Sequence, residues 1–393
     1  FKQKTAYEIR LSLVGSEMCI RDRIQVVTGN PAQLIPSNRY SFAVNSGADS
    51  VSAIDHLHTA TLQFTAPGTG DVTSIQKYDP REVARIVFNS DLPTTTLSPR
   101  NSTFSGDGSR LYVALNGGSG IGVIDTVALQ EIDADPNTFG VQYIQLPLGS
   151  RPFDLVAETN GRYLYVSDES SNTVFVVDVD PFSAKFHQHV RSIPLGPAPL
   201  GLRGIALNAD ESRVFVTAPG RTLFGVFGDQ NGAVLFIDTN LATRGEPGIP
   251  IGGPSFIPVG PEPYDITATD DPGVMLVVDR LDDNRGVGVL RQLENGPFWE
   301  ARFVSILQYG QIPRLIEGRP THVFGVTNAS SITFLPADAL KDDIGTHPSY
   351  AFITGYNKFV QGDPRHDPNL PQLQTYNYEY KWTKVDLLRA GYD

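Results

Sequence analysis

The sequence predicts an all-β protein built from repeated four-stranded antiparallel units. The chain holds 37 glycines and 29 prolines among 393 residues, and a strand motif recurs at intervals of 48 to 61 residues. Glycine and proline at this density interrupt helices, which excludes a helical bundle. The hydrophobic content of 40% is too high for a disordered chain, yet no apolar run is long enough for a membrane-spanning helix.

The charge balance excludes two classes of partner. The chain carries 43 Asp and Glu against 31 Lys and Arg, a net charge of −12. Binding to nucleic acid or to an anionic membrane surface requires clustered cations, and the sequence has no such cluster. We therefore expect no nucleic-acid partner and no membrane-spanning segment.

The first 23 residues differ from the rest of the chain. They read FKQKTAYEIRLSLVGSEMCIRDR and resemble translated sequencing-adapter read-through, so we expect residues 1–23 to be a non-native segment, with a short N-terminal helix as the alternative. Glu8, Arg10 and Glu17 interrupt any apolar stretch, which argues against a signal peptide.

The only cysteine, Cys19, lies in this segment. Without it the chain has no thiol for disulfides, thiol catalysis or thiolate metal sites. A chain without thiols suits an extracytoplasmic bacterial protein, so we expect a periplasmic, cell-surface or secreted location, although no export signal is visible.

The recurring motif consists of a strand with an aromatic residue, a polar turn and a strand ending in Asp. The clear copies read RLYVALNGGSGIGVIDT from Arg110, YLYVSDESSNTVFVVDV from Tyr163, and RVFVTAPG from Arg213 continuing as GAVLFIDT from Gly232. A weaker copy begins at Tyr40, and degenerate copies begin at Met275 and His322. The aligned positions Tyr112, Tyr165, Phe215, Leu276 and Phe324 are separated by 53, 50, 61 and 48 residues.

Each copy predicts an antiparallel hairpin, because its two runs are rich in β-branched and aromatic residues. A further strand, usually opened by proline, precedes the hairpin and a fourth follows it. One such sheet cannot bury both faces alone, so the repeats predict the blades of a β-propeller. We count about seven blades, the first with an insertion near residues 68–79; six or eight blades, or an incomplete ring, are open alternatives.

The repeats resemble the YVTN-type β-propeller family. This family is named for a strand that reads like Tyr-Val-Thr-Asn, which we call the naming strand. Here it is represented by Tyr112–Val113–Ala114, Tyr165–Val166–Ser167, Phe215–Val216–Thr217, Phe324–Gly325–Val326–Thr327–Asn328 and Phe352–Ile353–Thr354–Gly355. The resemblance implies a seven-bladed propeller of the kind found in lactonase-like and surface proteins, and it is specific for fold rather than activity. We place the propeller at residues 24–360, and residues 361–393 form a long loop with part of a last blade or a truncated segment.

No common catalytic motif is present, and we expect no cofactor and no bound metal. Two His-x-His pairs, His56 with His58 and His187 with His189, could each offer two imidazoles to one metal if both lay on a strand. Both pairs follow the end of a third strand, so we expect solvated histidines at the blade rim. The repeated Asp125, Asp178 and Asp238 are expected to close turns, because a repeated residue more often does a repeated structural job.

The loops that enter the first strand of each blade converge at the channel mouth, where a ligand site is expected. The candidate ligand-binding residues are Arg151, Asp154, Arg203, Tyr264, Asp265, Arg319 and His322. Cations, carboxylates and a phenol could hold a polar or anionic small molecule. The alternative is a water-filled channel whose lining charges neutralise one another.

Two functions remain. The first is a monomeric, non-enzymatic binding module that presents loops to a protein, cell-wall or small polar partner, and the insertions at residues 222–232, 245–260 and 362–372 favour it. The second, implied by the family resemblance, is a lactonase-type hydrolase in which Asp154 or Asp265 acts as general base and Arg203 stabilises the oxyanion. We expect binding without covalent chemistry.

Overall fold

The computed structural model describes residues 24–25, 39–65, 72–88, 96–196, 198, 200–220, 232–239, 255–280, 287–293, 299–304, 314–316, 319–321, 329–336, 350–359 and 377–386. The segment 1–23, most of the insertions at 222–232 and 245–260, and the whole insertion at 362–372 lie outside these ranges.

Five antiparallel sheets follow one another along the described chain, four of them four-stranded and one five-stranded, and we number them blades 1 to 5. Blade 1 contains β1 (Ile24–Gln25), β2 (Tyr40–Asn45), β3 (Ser50–Asp55) and β6 (Arg81–Val87). Its insertion is the hairpin of β4 (Thr59–Thr65) and β5 (Val72–Tyr78). Blade 2 contains β7 (Pro99–Phe104), β8 (Arg110–Leu115), β9 (Gly120–Asp125) and β10 (Gln130–Glu131), with β11 (Ile144–Gln145) also paired to β9.

In each of the next three blades the four strands pair in the order of the chain. Blade 3 contains β12 (Pro152–Ala157), β13 (Tyr163–Asp168), β14 (Thr173–Asp178) and β15 (Gln188–Pro194). Blade 4 contains β16 (Ile205–Leu207), β17 (Arg213–Pro219), β18 (Gly232–Asp238) and β19 (Ser255–Val259). Blade 5 contains β20 (Pro263–Ala268), β21 (Val274–Asp279), β22 (Val287–Gln292) and β23 (Trp299–Val304).

A short hairpin and a final sheet follow blade 5. The hairpin pairs β24 (Arg314–Ile316) with β25 (Arg319–Thr321), and the final sheet contains β26 (Ala329–Leu335), β27 (Tyr350–Phe359) and β28 (Asn377–Asp386). Part of residues 361–393 therefore belongs to the final sheet.

The blades are arranged radially. The first strands contact one another in succession, β7 with β12, β12 with β16, β16 with β20 and β20 with β26. Each sheet packs face to face on the next, which is how a propeller buries surfaces that a single sheet would expose. The all-β propeller predicted from the repeats is confirmed, and the number of seven blades stays a prediction.

The predicted burial of the repeated aromatic residues is also confirmed. Tyr112, Tyr165 and Phe215 are completely buried, and each occupies the third position of the second strand of its blade. Each packs with residues of the following blade in one apolar cluster. The aromatic side chain at the repeated position therefore packs in the interface between one blade and the next.

The prediction for the copy beginning at His322 is wrong in part. Residues 322–328 lie outside the described ranges, but β26 pairs with β27 and contacts β20, so it is the first strand of the final sheet rather than its third. The Phe352 copy of the naming motif lies in β27, a second strand, as the repeat predicts.

Candidate functional site

The candidate site lies where first strands begin and second strands end, which we call the mouth. Blades 2, 3 and 5 open on proline, with the pairs Pro99 and Leu115, Pro152 and Asp168, and Pro263 and Asp279. In all three blades the register is irregular directly after the proline. Proline cannot donate to the ladder and is found at strand starts and bulges, where a bulge turns the next side chains away from the regular alternation.

Two aromatic side chains from these strand starts form a floor beneath the mouth. Phe153 and Tyr264 are buried and meet edge to face, with ring centroids 5.6 Å apart. They belong to blades 3 and 5, which blade 4 separates, so both rings reach inward to the axis. The guanidinium of Arg203 lies 4.9 Å from the Phe153 ring centre and that of Arg280 lies 4.8 Å from the Tyr264 ring centre. Cation–π contacts of this kind hold the arginines over the floor.

Asp154 and Asp265 lie below the mouth and connect blades. Oδ2 of Asp154 accepts a hydrogen bond from the backbone N–H of Ile205 in blade 4 at 3.2 Å. Oδ2 of Asp265 accepts the equivalent bond from Ile332 in the final sheet at 3.0 Å. Both carboxylates are buried, with 5% and 4% residue exposure. Burial and backbone bonding give these two predicted ligand residues a structural role.

In blades 2 and 4 the equivalent position is not aspartate, but it also forms a hydrogen bond to the following blade. In blade 2, Asn101 donates from Nδ2 to the carbonyl of Phe153 at 3.0 Å. In blade 4 the residue is Gly204, whose N–H donates directly to the carbonyl of Tyr264 at 3.0 Å. A Cβ at Gly204 would lie 2.7 Å from Cα of Asp265, so only glycine allows this approach.

Polar side chains above the floor converge on Glu169. Its carboxylate forms an ion pair with Arg203, lies 3.5 Å from the guanidinium of Arg151, and accepts a hydrogen bond from Nδ2 of Asn116 at 3.2 Å. The side-chain oxygen of Asn116 in turn accepts from Arg151 at 3.1 Å. Asn116 and Glu169 directly follow the second strands of blades 2 and 3. The blade geometry therefore places three donors around one carboxylate.

Glu169 is held in its ionised form. Burial would raise its pKa, but Arg203, the hydrogen bond from Asn116, and the charges of Arg151 and Arg100 together lower the pKa below its ordinary value. The side chains of Glu169 and Arg203 are each 16% exposed and that of Arg151 is 55% exposed. The network is thus open to solvent on one side.

The remaining predicted site residues fall elsewhere. Arg319 lies in β25, part of the separate β24–β25 hairpin, and His322 lies outside the described residues. Of the seven candidates, the structure therefore brings Arg151, Arg203 and Tyr264 together at the mouth, with Asp154 and Asp265 buried beneath it.

The histidine pairs show one correction. His187 is buried, not solvated, because its loop folds back so that the imidazole stacks on Phe186 at 3.7 Å and lies against Tyr112. His58 bonds to the backbone carbonyl of Asp79, and His56 bonds to the hydroxyl of Ser41. Within the described ranges, no three His, Cys, Asp or Glu residues are grouped so that they could hold a metal ion.

The predicted turn-closing aspartates are confirmed where their contacts are described. Asp125 accepts from the N–H groups of Val127 and Ala128, both at 2.8 Å, and Asp178 accepts from that of Asp180 at 3.1 Å. Asp55, at the same position in blade 1, accepts from Leu57 at 2.9 Å. These are Asx turns.

Sequence reasoning missed Glu169, Asn116 and Phe153. The signal that could have found them is the repeat itself: Asn116, Glu169 and Arg280 occupy one position after the second strand, and this position varies in charge from blade to blade. Where the backbone has the same conformation in every blade but the residue type differs, the fold does not require a particular side chain.

No helix in the described part of the chain is long and apolar enough to cross a membrane. No family model and no curated protein matches the chain. Among solved structures, the hydrazine synthase of Kuenenia stuttgartiensis is 16% identical, with 81% of this chain and 73% of that chain covered and a TM-score of 0.50. The periplasmic gluconolactonase PpgL of Pseudomonas aeruginosa is 17% identical, with 69% and 68% covered and a TM-score of 0.45.

The dihydro-heme d1 dehydrogenase NirN is 11% identical, with 81% of this chain and 49% of that chain covered and a TM-score of 0.40. The likeness to the hydrazine synthase, at 16% identity and a TM-score of 0.50, extends to the fold and carries no activity to this chain. The membership of the YVTN-type family stays a prediction. The successive sheets and the contacts of their first strands identify the chain as an all-β propeller.

Proposed function

We propose that this chain is a non-enzymatic binding module whose mouth holds a small anionic or polar ligand, or a charged segment of a partner. The observation that carries the proposal is the convergence of Arg151, Arg203 and Asn116 on one partly exposed carboxylate. Arginine guanidinium groups recognise carboxylates and phosphates through charge-assisted hydrogen bonds, and the Phe153 ring beneath holds Arg203 in place.

The lactonase-type alternative requires a general base at the same mouth. A base is most effective when its pKa lies near the working pH. Asp154 and Asp265 are buried and bonded to the backbone of the following blade, and the surrounding donors lower the pKa of Glu169. Backbone hydrogen bonds therefore occupy Asp154 and Asp265, and the lowered pKa of Glu169 makes it a weak base at neutral pH, which favours binding over hydrolysis.

The extracytoplasmic location, the monomeric state and the YVTN-type family membership belong to the same proposal. Rigid propellers present residues from several blades at one mouth, and such a surface serves recognition without moving parts. Cell fractionation and light scattering test the location and the oligomeric state.

Binding and turnover are measured side by side to test the proposal. Thermal shifts of the parent protein are recorded with gluconate, acetate and inorganic phosphate, and hydrolysis of gluconolactone and of a phosphate monoester is followed in parallel. Arg203→Ala and Arg151→Ala remove the donors, and Arg302→Ala is the matched control because it removes an exposed arginine that pairs with Glu300 on β23.

We expect at least one anion to stabilise the parent and the control, but neither mouth variant, and we expect no turnover. Lactone hydrolysis by the parent that disappears in Arg203→Ala would overturn the binding-module proposal and favour the hydrolase. Equal stabilisation of the parent and of both mouth variants would show that ligands bind elsewhere.

A further inference from the structure

The Glu169 carboxylate is surrounded by Arg151, Arg203 and Asn116. We propose that Arg151, Arg203 and Asn116 form a carboxylate-binding seat, that Glu169 fills this seat as an internal ligand, and that a ligand carboxylate binds by replacing it. The inference rests on the proposed function of the mouth and adds to it the class of the ligand and a self-occupied state of the site.

Each of the three donors has a partner other than Glu169. Arg151 donates to the side-chain oxygen of Asn116 at 3.1 Å. Asn116 also donates from Nδ2 to the carbonyl of Pro152 at 3.1 Å. The backbone N–H of Arg203 bonds to the carbonyl of Thr217, and its guanidinium stacks on Phe153. The seat would therefore persist if the Glu169 side chain moved out.

The propeller does not need a carboxylate at position 169. The backbone N–H of Glu169 donates to the carbonyl of Arg151 at 2.9 Å, and the equivalent residues Asn116 and Arg280 make the same backbone bond in their own blades. The repeated feature is thus the backbone bond, which an alanine would keep. The side chain is free to serve the mouth.

The local charge balance favours a replacing anion. Arg100, Arg151 and Arg203 all act on the Glu169 carboxylate and favour its ionised form. Two buried carboxylates of blade 3, Asp154 and Asp168, accept hydrogen bonds from backbone N–H groups. Without the Glu169 carboxylate these arginines would keep an uncompensated positive charge, and this charge would attract an anion from solution.

A carboxylate fits this seat better than a phosphate. The donors are already arranged around the two oxygens of a planar carboxylate: Oε1 of Glu169 contacts Arg203, and Oε2 contacts Arg151 and Asn116. We therefore assign the seat to the carboxylate of a small organic acid.

The test removes the internal ligand and measures what takes its place. Binding of gluconate, acetate and inorganic phosphate is titrated for the parent, Glu169→Ala and Glu169→Gln. Glu300→Ala is the matched control, because Glu300 also pairs with an arginine, Arg302 at 3.1 Å, but lies on β23 away from the mouth. The double variant Glu169→Ala with Arg203→Ala removes one donor from the emptied seat.

We expect Glu169→Ala to bind gluconate and acetate about ten-fold or more tightly than the parent, because the parent must first displace its own carboxylate. Glu169→Gln should show a smaller gain in the same direction, Glu300→Ala should show no gain, and the double variant should lose the gain. If Glu169→Ala does not fold, the Glu169→Gln comparison decides.

The outcomes separate this inference from the proposed function. An unchanged affinity in both Glu169 variants, with parental binding still lost in Arg203→Ala, would overturn the internal-ligand inference and leave the binding function intact. A gain in Glu169→Ala without any arginine-dependent binding by the parent would support the seat and overturn the proposed function. A gain for phosphate alone would overturn the assignment to carboxylates.

Discussion

Protonation of the buried His187 is expected to couple the stability of the propeller to pH. Burial, together with the charge of Arg110, lowers the pKa of His187 from 6.5 to about 4. In the unfolded chain the imidazole recovers its ordinary pKa, so between about pH 6.5 and about pH 4 the unfolded state binds a proton that the folded state does not. The free energy of unfolding therefore falls as the pH is lowered through this window.

The magnitude follows from the two pKa values. A histidine with these values contributes about 2.5 kcal/mol less stability at pH 4.5 than at pH 7, and almost all of this loss occurs below pH 6.5. Below about pH 4 both states are protonated and the contribution becomes constant.

The assay is urea denaturation at pH 7 and pH 4.5 of the parent and of His187→Asn. Asparagine does not titrate and tolerates the left-handed backbone of this residue, whose φ is 61°. The variant loses the stacking on Phe186 at both pH values. The change in the free energy of unfolding between pH 7 and pH 4.5 therefore reports the protonation of His187. We expect this difference to be about 2–3 kcal/mol smaller in the variant than in the parent. Equal differences would refute the reasoning and show that His187 is protonated in the folded protein.

Three further predictions concern the blade contacts and the N-terminal segment. Tyr165→Ala should lower the free energy of unfolding by about 3–5 kcal/mol, measured by chemical denaturation, because it leaves a cavity between blades 3 and 4. Tyr165→Phe should lower it by about 1 kcal/mol through loss of the hydrogen bond to Glu158. Similar losses in the two variants would contradict this prediction. Gly204→Ala should lower the melting temperature by several degrees because its Cβ would meet the backbone of blade 5, and a neutral effect would show that the blades can separate there. Deleting residues 1–23 should change the melting temperature by less than about one degree, and a loss of several degrees would show that the segment is part of the fold.

The fold could be predicted from the sequence because each blade repeats its own signals. The aromatic residue in the second strand, the Asp that closes the third strand and the proline that opens the first recur at fixed places, so one interpretation had to fit several copies. For this reason Tyr112, Tyr165 and Phe215 are buried at equivalent positions of three different blades. The copy at His322 was wrong because its sequence is degenerate, so the pattern could not distinguish a first strand from a third.

The candidate site could be predicted only in part. Arg151 and Arg203 follow from their place at strand starts, but their shared partner Glu169 depends on how neighbouring blades meet, a contact between residues 34 positions apart for Arg203. His187 was misjudged because its exposure depends on the path of the loop rather than on the strand that it follows.

A crystal structure of the parent protein grown with saturating gluconate tests the ligand-binding mouth most directly. The account predicts the gluconate carboxylate within hydrogen-bond distance of Arg203 and Arg151, above the Phe153 and Tyr264 rings, with no covalent change to the ligand. Gluconate bound at another place, or a mouth without ligand while Glu169 keeps its contacts to both arginines, would contradict the account.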